Sequence, residues 1–194
     1  MIEVSKSFIH WNYFLALEND LENLSRYIEF VDANLQTYSI ELAHLLLASS
    51  SEIDVVIKEL CSLLSPNDKR ENIDDYRKII KNTLPAFINE KIYINRYGIS
   101  VKPWENWNED INPNWWKSYN NVKHQRNLYF NEANLENTIR STGALLVTTY
   151  YYYKKLFEQE VGAIVEPKKI TEKLKQKSKF VQLDNGYYYD IVVI

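Results

Sequence analysis

Only four glycines and five prolines interrupt 194 residues, so this chain has few places to turn sharply or to adopt a left-handed backbone. That scarcity favours long helices over a many-turned β sandwich. The apolar spacing agrees. Trp11, Phe14, Leu15, Leu17, Leu21, Leu24, Ile28 and Val31 recur at steps of three and four, predicting an amphipathic helix that runs to about Phe30. A second helix is expected from Ile40 to Leu64, opened by Thr37 to Ser39 and stopped by Pro66, with a bend or a close helix contact at Ser49-Ser50-Ser51. A shorter one carries Tyr76, Ile79, Ile80 and Leu84 before Pro85.

Between Glu90 and Asn114 the pattern is irregular, and Tyr93, Tyr97, Trp104 and Trp107 predict a long ordered loop held by its own aromatics. Asn114 is the expected N-cap of the next helix, and a last long helical pattern runs from Asn131 to Phe157. After Gly162 and Pro167 come six lysines, Lys168, Lys169, Lys173, Lys175, Lys177 and Lys179. Asn185-Gly186 then sits between the β-prone runs Phe180 to Leu183 and Tyr187 to Ile194, the signature of a type I′ hairpin. The expected fold is mainly α: a four- to five-helix bundle over 1–160, followed over 161–194 by a basic linker or helix and a C-terminal β hairpin. The tyrosine run Tyr150 to Tyr153 covers every side of a helix, which suits a homodimer or partner-protein contact as well as a core.

A formal charge of -3 and a pI near 5.7 give no global attraction to nucleic acid, so any such contact needs a local patch. The lone cysteine, Cys61, excludes an internal disulfide and fits the apolar pattern of Ile57, Leu60 and Leu64. No run approaches the roughly 20 apolar residues of a membrane span, and no signal peptide is apparent, so a cytoplasmic protein with no membrane contact is expected. His10, His44 and His124 are isolated from one another and from Cys61, which gives no metal spacing, and no phosphate-binding glycine loop or serine-hydrolase elbow occurs. Neither a metal nor a cofactor is expected.

The densest chemistry lies in Trp115-Trp116-Lys117-Ser118-Tyr119-Asn120-Asn121-Val122-Lys123-His124-Gln125-Arg126. On an ideal helix Trp115, Tyr119, Val122 and Arg126 share one face, while Trp116, Asn120, Lys123, His124 and Asn127 share the other. One face anchors and the other presents hydrogen-bonding groups. Taken with the helix bearing Glu41 and Glu52, the aromatic loop, and Phe130-Asn131-Glu132-Ala133-Asn134 opening the last helix, this segment resembles the HEPN-like superfamily of bacterial and phage-borne helical bundles. The likeness spans roughly residues 10 to 158.

The resemblance implies a metal-independent endoribonuclease, often a toxin or antiviral effector, that commonly dimerises to form a composite site. Its signature is an arginine followed after four to six positions by a histidine. Here the motif is a divergent Asn-Asn-x-Lys-His-x-Arg, no arginine precedes any histidine at that spacing, and Lys117 is the nearest match ahead of His124. For such chemistry His124 would act as general acid or base, while Lys123 and Arg126 would offset phosphate charge and Asn120 would orient the phosphate or ribose. Lys117, Asn121, Glu41 and Glu52 complete the expected substrate-binding set. The alternative is a noncatalytic interaction module, in which His124 and Asn120 join Glu41 or Glu52 in a buried network that ties helices together.

Overall fold

A computed structural model of the chain describes residues 7–189. Six α-helices and one short hairpin make up the regular structure of those residues: α1 (Ile9–Leu24), α2 (Ile40–Leu64), α3 (Ile73–Thr83), β1 (Ile92–Ile94), β2 (Ile99–Val101), α4 (Asn114–Tyr129), α5 (Leu135–Val161) and α6 (Pro167–Lys173). The long pair α2 and α5 runs parallel, Leu42 beside Thr138 and Ser49 beside Ser141, and forms the spine. Packed on it are α1 and α4, each touching both members, with α3 against α2 and α6 against α5.

Local signals explain the helix starts. The Ser39 hydroxyl accepts the Leu42 N–H, Asn72 accepts those of Asp74 and Asp75, and Asn134 accepts that of Asn137, so each helix opens with one or two orphan donors satisfied. The serine run in α2 is a close helix contact: Ser49 bonds both the Leu45 carbonyl at 2.7 Å and the Ser141 hydroxyl of α5 at 2.8 Å. Gly143 lies on the other side of α5, against the hairpin, where a Cβ would lie 2.7 Å from Ile92 Cγ1 of β1. Two buried clusters result. The larger joins α1, α2, α5 and the aromatics Phe87, Trp104, Trp107 and Trp115; the smaller, Ala43, Leu46, Tyr119, Val122 and Ala133, fastens α4 to the first half of α2.

Four expectations need correcting. First, α1 stops at Leu24 rather than near Phe30; the apolar rhythm persists because Phe30 buries too, but from a turn, against Tyr97 and Phe180. Second, the irregular loop contains the hairpin, with Ile92 opposite Val101 and Ile94 opposite Ile99, turned by Gly98 at φ 64°. Third, Pro113 rather than Asn114 occupies the N-cap, and no side chain caps α4. Fourth, the C-terminal hairpin does not form at Asn185-Gly186: Asn185–Tyr187 is a 3₁₀ turn in which Asp184 accepts the Gly186 N–H at 3.0 Å. The remainder of that hairpin's second strand, 190–194, lies outside the described residues.

Tertiary partners claim the strand instead. Gln182 exchanges two backbone hydrogen bonds with Tyr93 of β1, both 2.8 Å. One oxygen of the buried Glu18 carboxylate in α1 accepts the N–H groups of Lys179, Phe180 and Val181. Residues 176–188 thereby form a strap across α1 and α5, fixed further by the Trp11 indole on the Gln176 carbonyl and by Tyr187 against Tyr150. The tyrosine run is covered largely within the chain: Tyr150, Tyr151 and Tyr153 are buried, and Tyr151 and Tyr187 both donate to Glu90.

Candidate functional site

The smaller core cluster decides what faces solvent above it. With Tyr119 and Val122 buried against α2, α4 turns Lys123 outward, and the Lys123 ammonium lies 5.3 Å above the Tyr119 ring and 3.2 Å from its hydroxyl. At Gln125 the backbone leaves helical geometry (φ -139°, ψ 47°), a kink that re-aims the residues after it. Arg126 and Asn127 then line a groove with Ile40, Ala43, His44 and Phe130.

His44 is the meeting point. It lines this groove, a second one with Tyr13, Leu47, Ala48, Ser51, Tyr119 and Lys123, and a third between α1 and α2 with Asp20, Asn23, Tyr27 and Glu41. The imidazole is 64% exposed, and Glu41 Oε2 stands 3.7 Å from its Nδ1, one turn earlier on α2. A titratable ring, two cations and a flanking carboxylate therefore share one open surface. That set can hold a phosphate and move a proton beside it.

The residues singled out from sequence are divided by the fold. Lys123, Arg126 and Glu41 reach the His44 surface. His124 is exposed on α4, lines none of the three grooves, and has no side-chain partner among the described residues. Lys117 is likewise exposed on α4. Asn120 donates to the Trp116 carbonyl of its own helix at 2.9 Å, and Asn121 donates to the Glu132 carboxylate at 2.9 and 3.2 Å, so both serve the local fold. The buried network of His124 and Asn120 with Glu41 or Glu52 is absent among the described residues. Glu52 instead bonds His10 Nδ1 at 2.6 Å, with Glu59 3.5 Å from Nε2, and so ties α1 to α2.

The lysine-rich segment is mostly spoken for inside the chain. Lys173 lies 4.2 Å above the Phe157 ring and 3.4 Å from Glu160, Lys169 pairs with Glu166, and Lys177 lies over Tyr189. Among the described residues no group of three or more His, Cys, Asp or Glu could hold a metal ion, and no helix is long and apolar enough to cross a membrane. Sequence reasoning passed over His44, Tyr13, Asp20 and Tyr27. The one available signal was the stripe Ile40, His44, Leu47, Ala48, Ser51 on the side of α2 away from Leu42 and Leu46. No protein-family model, curated protein or solved structure matches this chain.

Proposed function

We propose that this chain binds single-stranded RNA across the His44 surface and cleaves it without a metal ion, as a HEPN-like endoribonuclease. The convergence of three grooves on His44, with Lys123 and Arg126 at their edges, carries this reading. Exposed Tyr13 and Tyr27 flank the same surface and offer rings on which unpaired bases stack, a mode open to single strands and closed to a duplex. The toxin or defence setting, and a dimer, follow from the HEPN resemblance alone.

In this mechanism His44 Nε2 takes the proton of a ribose 2′-hydroxyl, and the 2′-oxygen attacks the neighbouring phosphorus. The bond to the 5′-oxygen breaks, that oxygen takes a proton from water, and the products are a 2′,3′-cyclic phosphate and a 5′-hydroxyl. Lys123 and Arg126 offset the charge that grows on the non-bridging oxygens, and Glu41 beside Nδ1 orients the ring.

Incubating RNA with the protein in excess chelator tests this directly. Cleavage is expected for the parent and for His124→Ala and is lost in His44→Ala, whose melting temperature stays at the parent value because His44 is solvent-exposed. Lys123→Ala lowers RNA affinity and reduces the slope of log K against log salt by about 1. Cleavage by His44→Ala at the parental rate would remove His44 from the reaction. A parent that neither binds nor cleaves RNA would favour the interaction module, for which the exposed Tyr38 and Ile40 on the same side of the molecule offer contact area.

A further inference from the structure

We infer that the groove between α1 and α2 beside His44 is a guanine-binding subsite, an assignment that rests on the RNA reading above and names its preferred base. The groove has a volume of about 450 Å³, with Leu17, Leu24, Leu45 and Ala48 among its apolar lining. Asp20 and Asn23 stand one helical turn apart on α1, their Cβ atoms about 5–6 Å from each other. Tyr27, 81% exposed, follows one turn later.

Asp20 and Asn23 are both exposed on α1 at the rim of the groove. Some surface carboxylates are engaged within the chain, Asp74 with Arg77 and Asp110 with Lys81 among them. The Asp20 carboxylate and the Asn23 amide have no side-chain hydrogen bond or ion pair among the described residues, although both line the groove. Together they present two carboxylate acceptors next to an amide donor.

Guanine is the base that answers this pattern. Its N1–H and N2–H groups lie side by side and suit the two oxygens of one carboxylate, while its O6 accepts from an amide N–H. Adenine and cytosine would turn a ring-nitrogen acceptor toward the carboxylate, and uracil sets its one N–H between two carbonyls; each leaves acceptor facing acceptor. The apolar lining takes one face of the base, and Tyr27 stacks on the base or its neighbour. Because His44 lines this groove as well as the two that hold Lys123 and Arg126, a guanosine seated here places its adjoining phosphate at the cations, and the chain is cut next to guanosine.

Fluorescence anisotropy with labelled five-nucleotide RNAs tests the subsite in chelator, using oligouridine with guanine, inosine, adenine or uracil at the centre. The guanine oligonucleotide is expected to bind about tenfold more tightly than the adenine or uracil one, with inosine, which lacks the N2 amino group, between them. Asp20→Asn brings guanine affinity down to that of uracil. If the parent binds all four RNAs equally, or if Asp20→Asn keeps the guanine preference, the subsite is refuted while RNA binding stands. Absence of binding by every oligonucleotide refutes both.

Discussion

Removing the Glu18 carboxylate is expected to loosen the strap that closes the fold. Its Oε1 accepts three backbone N–H groups, from Lys179 at 2.9 Å, Phe180 at 2.8 Å and Val181 at 2.9 Å, and the residue is only 5% exposed. Glu18→Ala leaves those donors without an acceptor, at about 1–3 kcal/mol for each one that water does not reach. Two of the three bonds are buried, so the expected loss is about 2–6 kcal/mol, a large part of the roughly 5–15 kcal/mol that holds an ordinary domain together. With an m-value of about 2 kcal/mol/M, the urea midpoint falls by about 1–3 M. Glu18→Gln keeps an acceptor oxygen and loses less. Amide hydrogen exchange at 179–181 should accelerate in step. A loss below about 1 kcal/mol at unchanged m would mean that apolar contacts hold the strap and the carboxylate is incidental.

The same group gives a pH dependence of defined sign. Burial, the largest influence, holds the Glu18 carboxyl above its ordinary value, against the three amide hydrogen bonds that pull it down. The folded form then binds the proton more tightly than the unfolded form. The stability linked to that proton is complete below the ordinary glutamate value and is lost as pH rises through the higher folded one. The stability of the parent minus that of Glu18→Gln should therefore fall with rising pH across this window; a difference that rises would reverse the assignment.

Two further outcomes test the core. Gly143→Ala gains about 1 kcal/mol of helix propensity but drives a methyl to 2.7 Å from Ile92 Cγ1, an overlap costing about 1–3 kcal/mol, so a double-mutant cycle with Ile92→Ala should show coupling of at least about 1 kcal/mol, and coupling near zero would show that the contact of α5 with β1 has slack. Cys61 is fully buried and its thiol is pushed up to about 12 by desolvation, so at mildly alkaline pH a disulfide reagent should label it only at the rate of unfolding; fast labelling of the folded protein would contradict the packing.

The helices were legible because a period of three to four needs only local sequence, and α2 carried its own punctuation in Ser39 and Pro66. Other features depended on distant residues. Phe30 keeps the apolar rhythm of α1 yet lies beyond it, since burial against Tyr97 and Phe180 leaves the same mark on sequence as burial along a helix. Asn185-Gly186 permits a type I′ turn without requiring one, and the pull of Glu18 and Tyr93 on 179–182 outweighs it. Strands of three residues are too short to stand out from an aromatic loop, although Ile92-Tyr93-Ile94, Gly98 and Ile99-Ser100-Val101 were there to be read. At the candidate site, Lys123 and Arg126 were found from their own helix. The histidine they face was not, because His44 reaches them only through the packing of α4 on α2.

The strap also sets an order of events in time. Glu18 and Val181 are 163 residues apart, so a ribosome making this chain exposes α1 long before the segment that covers it exists. Through that interval Trp11 waits for the Gln176 carbonyl and the Glu18 carboxylate for the strap amides, leaving the apolar side of α1 to the unfinished bundle alone. Closure of the strap is then the slow, late step of maturation, and a nascent chain stalled before Gln176 is the form that chaperones and proteases would find first.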